Sequence, residues 1–214
     1  KRRLLLFDYD GTLAPIRSRP EEAVPSHRLC ELLRTLGTDA ANRVVICSGR
    51  DSGTLEKWFG GLPVSLAAEH GAFYKDRGAW RCNIRPASWD PKLSALLEHF
   101  ARKTPRSRIE RKQTALAWHY READSWLAQL RAQQLVNALM PLCARLNLHI
   151  LQGDKVVEIK SPRFTKGSET LRLLRQERYD FILALGDDTT DDDMFAALPP
   201  RALSVKVGNA SGIL

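Results

Sequence analysis

At 214 residues, 43% of them hydrophobic and 7% aromatic, the chain is long and apolar enough for a packed core, which excludes global disorder. No apolar run approaches the ~20 residues that span a bilayer, and the first one is short and ends in acids, so neither a membrane span nor a signal peptide is expected. The 33 Lys and Arg against 25 Asp and Glu give +8, but they are scattered without a nucleic-acid-binding motif, and a basic surface equally suits a small anionic substrate.

In chain order, residues 4–7 read as a buried strand that empties into Asp8-Tyr9-Asp10-Gly11. Pro25-Ser26 predicts the cap of a helix carrying Leu29, Leu32, Leu33 and Leu36 and closed by Gly37. Residues 44–47 predict a second buried strand, followed by Ser48-Gly49-Arg50-Asp51 and a helix reaching Trp58. A third strand, 64–68, runs into Glu69-His70-Gly71. Short apolar strands separated by helices predict a parallel α/β sheet, with polar residues delivered at the strand ends where such sheets bind ligands.

The middle changes character. A helix over 91–102 precedes 107–121, where Leu116, Trp118 and Tyr120 alternate with Ala117, His119 and Arg121 as in a half-buried antiparallel strand. A long helix over 125–146 and strands near 148–152 and 155–160 complete an α-β-β-α-β-β block, read as an inserted cap over 88–161. The first pattern then resumes with a helix over 167–175, a strand over 181–185 and a last strand over 203–207 ending at Gly208-Asn209. The core is therefore expected to be discontinuous, 1–87 with 162–214. Cys30, Cys47, Cys82 and Cys143 are widely spaced, with no CxxC pair or zinc-type cluster, which predicts reduced thiols in a cytoplasmic protein. The missing initial Met and the abrupt end read as a piece of a longer polypeptide or a chain lacking a tail.

Asp8 and Asp10, two apart at the end of a buried strand, point the same way before Gly11 turns the chain. A carboxylate there can attack phosphorus and carry it as an acyl phosphate, while its neighbour protonates the leaving oxygen and later deprotonates water. Asp187, Asp188 and Asp191 follow another apolar strand and suit a hard cation, Mg2+ above all. An EF-hand does not fit, because Asp192 and Leu198 stand where its Gly and Glu belong, and no P-loop motif exists. Ser48 and Lys166 supply a hydroxyl and an ammonium for the oxygens of a transferring phosphoryl group.

The order Asp8-Tyr9-Asp10-Gly11-Thr12, Ser48, Lys166-Gly167, Gly186-Asp187-Asp188-Thr189-Thr190-Asp191 resembles the four motifs of the haloacid dehalogenase superfamily. That resemblance implies a haloacid dehalogenase-like Rossmannoid α/β core with an inserted α/β cap of the C2 type. It implies Asp8 as nucleophile, Asp10 as general acid/base, Mg2+ held by Asp8, the Asp10 carbonyl and Asp187, and Asp188 and Asp191 as supporting acids. Further stretches look like the trehalose-6-phosphate phosphatase family: Cys47-Ser48-Gly49-Arg50, Ala68-Glu69-His70-Gly71, Glu110-Arg111-Lys112, Ala117-Trp118-His119-Tyr120-Arg121 and Val157-Glu158-Ile159-Lys160. The implied substrate is trehalose 6-phosphate, and the implied partner a fused or associated trehalose-6-phosphate synthase domain, with no nucleic acid and no membrane. Glu158 with Lys160, and His119 with Arg121, share strand faces that can bracket sugar hydroxyls. Glu69 and His70 are expected at the sugar nearer the phosphate, and Arg50, Lys112 and Asn209 complete the substrate-binding set. Two alternatives stay open: a relative acting on another sugar phosphate, and a sugar-phosphate-binding regulatory domain without catalysis.

Overall fold

Strands that are apolar on both faces have to be covered on both, and the residues between them have to supply the cover. The structure, a computed structural model, describes every residue except 18, 77, 83–88, 113 and 209–214. In chain order its elements begin with β1 (Arg3–Phe7), α1 (His27–Thr38), β2 (Asn42–Cys47), α2 (Ser52–Phe59), β3 (Ser65–Ala68), β4 (Phe73–Lys75) and β5 (Arg81–Cys82). There follow α3 (Pro91–Arg102), β6 (Arg108–Arg111), β7 (Ala115–His119), α4 (Ser125–Leu146), β8 (His149–Gly153) and β9 (Val156–Lys160). The last are α5 (Lys166–Gln176), β10 (Phe181–Gly186), α6 (Thr189–Ala196) and β11 (Leu203–Lys206). The chain divides into two units, Lys1–Asn83 with Phe164–Leu214, and Ile84–Arg163.

The first unit carries a sheet in the order β11-β10-β1-β2-β3-β4-β5. Its first five strands run parallel. Leu4 and Leu6 of β1, Val45 and Cys47 of β2 and Ile182 and Ala184 of β10 point to one face, where Leu173 of α5 and Met194 of α6 bury against them. Leu5, Phe7, Val44 and Ile46 alternate to the other face and are buried as well, as are Leu33 of α1 and Leu55 and Phe59 of α2. Fully burying one such side chain stabilises by about 1.5–3 kcal/mol, so β1, at the middle of the five parallel strands, is a rigid base for the residues that follow Phe7.

Two details differ from the sequence reading. Gly37 does not end α1; it lies within the last turn, and a Cβ there would stand 2.3 Å from the Pro63 carbonyl oxygen. Close backbone approach, not a left-handed cap, is what requires glycine. Beyond β3 the sheet turns antiparallel through β4 and β5, whose three and two residues are too short to show a period.

The second unit is an antiparallel sheet, β6-β7-β9-β8. Leu116 and Trp118 of β7 and Val157 and Ile159 of β9 face α3 and α4, packing on Leu93, Leu97, Leu135 and Leu139. The two strands of the expected α-β-β-α-β-β block that precede its long helix are β6 and β7, which pair Glu110 with Ala117; the Lys112 N–H donates to the Ala115 carbonyl across the turn. That turn contains neither Gly nor Pro, so no sequence signal marks it. The expected join between core and cap at 87/88 lies outside the described residues. Among the described residues no helix is long and apolar enough to cross a membrane.

Candidate active site

β1, β2, β3 and β10 all end on one edge of the first sheet, and each end hands over to a polar residue. Asp8 continues the ladder, its N–H donating to the Leu185 carbonyl at 3.0 Å, and is buried. Immediately beyond, the N–H groups of Thr12, Leu13 and Ala14 converge on the Tyr9 carbonyl, a turn that Gly11 permits with φ +87°. A Cβ on Gly11 would stand 1.9 Å from Asp187 Oδ2. The glycine therefore serves the second carboxylate as much as the turn. Gly11→Ala is expected to cost about 1–3 kcal/mol in strain, and to weaken divalent-cation binding about tenfold or more by displacing Asp187. Urea unfolding and calorimetric cation titration read the two effects separately.

Lys166, the first residue of α5, is aimed from a helix start fixed by a reciprocal Thr165–Ser168 capping box. Its Nζ donates to Asp8 Oδ1 and to Asp191 Oδ1, both at 2.6 Å, and all three groups are buried. The other Asp191 oxygen accepts the N–H groups of Asp187 and Asp188 at 3.0 and 3.2 Å. Carboxylate oxygens of Asp8, Asp187 and Asp191 lie within 4.8 Å of one another. Asp188 is placed differently: it is exposed and caps α6, accepting from the Thr190 N–H and hydroxyl at 2.7 Å each.

The charges do not balance. Three carboxylates against one ammonium leave two negative charges in a site largely closed to water. Burial pushes the Asp8 carboxyl up to about 7 despite Lys166 alongside, and the Asp191 charge adds to the rise. Burial likewise raises Asp187, with Asp188 adding to it, and raises Asp191 against the pull of Lys166. Lys166 itself is desolvated, but the Asp8 and Asp191 charges outweigh that and hold it protonated. An oxygen-only donor set short of two positive charges fits a hard divalent cation.

The remaining expected residues fall into groups. Ser48 is buried at the end of β2, where its Oγ accepts the Arg50 N–H at 3.2 Å and its carbonyl accepts the His70 N–H at 3.0 Å. Asp10 points to Arg50: its two oxygens accept from Arg50 Nε at 2.7 Å and a terminal guanidinium nitrogen at 2.6 Å. Glu69 and His70 form a tight turn after β3 with φ of 46° and 59°, conformations that side chains rarely adopt and that cluster at functional sites. Thr12 was given no role by the sequence; its Oγ1 lies 3.1 Å from Asp8 Oδ2 and 3.3 Å from Asp187 Oδ1, where it can donate to either.

In the second unit the sheet face away from α3 and α4 carries the polar set. Glu158 lies opposite Ala117, and Lys160 opposite Ala115. Lys112 Nζ stands 3.1 Å from Glu158 Oε2, and His119 Nε2 2.7 Å from Glu110 Oε2. Burial raises the Glu110 carboxyl, but the His119 hydrogen bond and the Lys112, His119 and Arg108 charges outweigh it and hold it at about 2. Glu110 had no assigned role, although its spacing from Lys112 already placed the two on one face. Arg121 leaves this group; it lies past the end of β7 and pairs with the Asp154 carbonyl and carboxylate at 2.9 Å each. Asn209 lies outside the described residues.

The sequence model of the trehalose-phosphatase family matches residues 6–212. A bifunctional trehalose-6-phosphate synthase/phosphatase of Thermoproteus tenax is 43% identical over 97% of this chain and 29% of its own length. A trehalose-phosphatase of Zygosaccharomyces rouxii is 43% identical over 92% of this chain and 25% of its own. The chain thus spans under a third of the length of these curated relatives. Among solved structures, the C-terminal domain of C. albicans trehalose-6-phosphate phosphatase superposes with a TM-score of 0.85 at 40% identity, covering 92% of this chain and 73% of that one.

Proposed function

This chain belongs to the trehalose-phosphatase family, with its haloacid dehalogenase-like α/β fold, and from that premise we propose that it hydrolyses trehalose 6-phosphate to trehalose and phosphate through an aspartyl-phosphate at Asp8. The observation that carries the reading is the buried triad in which Lys166 bridges Asp8 and Asp191 beside Asp187.

Asp8 is the nucleophile. Its burial makes the carboxylate poorly solvated and therefore reactive, and Lys166 and the Thr12 hydroxyl fix one oxygen each, which orients the attack. The Ser48 hydroxyl and the Lys166 ammonium stabilise charge on the non-bridging phosphoryl oxygens. Asp10 gives a proton to the sugar oxygen and later takes one from the attacking water. Held by Asp8, Asp187 and the Asp10 carbonyl with Asp191 in support, Mg2+ would supply the positive charge that the cluster lacks. Asp188 acts at one remove, by holding the first turn of α6. Glu69 and His70 serve the sugar nearer the phosphate, and Lys112, His119, Glu158 and Lys160, with Glu110 beside them, read the hydroxyls that give selectivity. We place the protein in the cytoplasm, on the argument that its four cysteines are free thiols, and expect it to work fused to or beside a synthase domain, as the name of the Thermoproteus tenax relative suggests.

The test is phosphate release from trehalose 6-phosphate, glucose 6-phosphate and sucrose 6-phosphate, each with Mg2+ and with chelator. Release that is selective for trehalose 6-phosphate and lost with chelator supports the reading. Glu158→Gln and Lys112→Met are each expected to raise KM for trehalose 6-phosphate about tenfold, the cost of leaving a hydroxyl unpaired. Equal turnover of all three esters would sink the substrate assignment and keep the chemistry. Binding of trehalose 6-phosphate without turnover of any ester would sink the catalytic reading.

A further inference from the structure

Asp10 is more exposed than the residue that holds it: its side chain is 38% accessible, that of Arg50 11%. Arg50 is fixed from several sides. Its guanidinium carbon stands 4.5 Å from the Trp58 ring centre and 5.6 Å from that of Tyr9. Tyr9 is itself immobilised, fully buried against Trp58 and Phe59 with its hydroxyl donating to the Ala23 carbonyl. The Arg50 backbone is tied at both ends, donating to Ser48 Oγ and accepting the Glu69 N–H. A flat cation on an aromatic ring, tethered through its backbone, has little freedom. The donors best placed to fork a phosphate, Nε and one terminal nitrogen, already point at Asp10.

We propose that Arg50, braced on the Trp58 ring, is a positioning residue that sets where the Asp10 carboxyl stands for proton transfer, and not a contact to the sugar phosphate. The proposal rests on the phosphatase reading above. In the first half of the reaction a bond forms between an Asp8 oxygen and phosphorus. The phosphorus–oxygen bond to the sugar breaks, its electron pair passes to the sugar oxygen, and that oxygen takes the proton of Asp10, which in its acid form carries the proton on one oxygen and keeps the Arg50 bond on the other. In the second half water attacks phosphorus, the bond to Asp8 breaks, and the water proton returns to Asp10. Both transfers need the carboxyl within hydrogen-bond reach of the reacting oxygen, and among the described residues it is the Arg50 side chain that holds the Asp10 carboxyl, with two bonds. Trp58 has a share in this through Arg50.

A leaving group that needs no proton separates this role from phosphate binding. Wild type, Arg50→Met, Trp58→Leu, Trp58→Phe, Asp10→Asn and the Arg50→Met/Asp10→Asn double variant are compared on trehalose 6-phosphate and p-nitrophenyl phosphate. The readouts are steady-state kcat and KM, and the first-turnover burst of p-nitrophenolate, which reports the attack of Asp8 without protonation of the leaving group. Arg50→Met is expected to lower kcat on trehalose 6-phosphate about 10- to 100-fold with KM little changed, and to change the burst less than about threefold. Trp58→Leu should show the same pattern more weakly, and Trp58→Phe, which restores a ring, should recover most of it. In the Asp10→Asn background Arg50→Met should cost nothing further. Equal loss of burst and turnover, a loss confined to KM, or additive effects of Arg50 and Asp10 would each overturn the proposal. Failure of the wild type to turn over either ester would remove the phosphatase reading itself, and the proposal with it.

Discussion

Asp8→Asn is expected to lower kcat for phosphate release by about 10^4-fold or more, the scale seen when a covalent nucleophile is removed, while leaving the fold intact. The second half of that expectation comes from electrostatics. Burial raises the Asp8 carboxyl to about 7, well above its value in an unfolded chain, so without metal the folded protein holds more protons than the unfolded one between about pH 4 and 7. Stability contributed by this group therefore falls as pH rises through that window and is lowest above it. Asn has nearly the shape of Asp and no charge to desolvate. In chelator at pH 8 the variant should resist urea at least as well as the wild type, and its stability should depend less on pH from 5 to 8. With Mg2+ the order should reverse, because only the wild type keeps the full carboxylate set. A variant that keeps more than about 1% of activity would remove Asp8 from the nucleophile role. One that unfolds several kcal/mol more easily in chelator would make Asp8 a structural residue.

Much of this site was legible because its chemistry sits on regular elements. Asp8 and Asp187 follow continuous apolar strands, and adjacent parallel strands have to end on one edge, so two sequence-distant carboxylates could be placed together from pattern alone. Lys166 was legible by its order among the motifs; that it starts a helix and lies between two carboxylates is a matter of capping and aim that order does not reveal. Partnerships were the illegible part. Asp10 and Arg50 are 40 residues apart, and either could have taken many partners; only the fold brings the fork together. Thr12 stood in the first motif without a role, since a hydroxyl touching two acids leaves no trace in spacing. β4 and β5 are too short to have a period, and the β6–β7 turn lacks the residues that announce one. The sequence thus showed which groups stand at strand ends, and side-chain aim had to come from packing.

Lys166→Met tests the charge balance from the other side. Methionine keeps the unbranched stem and removes the one ammonium between Asp8 and Asp191, leaving buried carboxylates unpaired. Breaking a buried pair in this way costs about 3–5 kcal/mol, and that loss is expected in chelator at pH 8. Its pH dependence identifies the cause. The neighbouring acids raise the Lys166 pKa above that of an ordinary lysine, so the lysine's own contribution is complete below about pH 10 and constant across the working range. Any change in the difference between variant and wild type from pH 8 to pH 5 therefore belongs to the carboxylates. In the variant they should take up protons more readily, and much of the lost stability should return on acidification. Mg2+ should restore stability at pH 8, by about 2.7 kcal/mol at a concentration 100 times its dissociation constant, while activity stays down about 10^3-fold because the phosphoryl oxygens still lack the ammonium. A loss that neither acid nor Mg2+ relieves would show that Lys166 holds α5 in place by packing, and the charge-deficient site would no longer account for the cation.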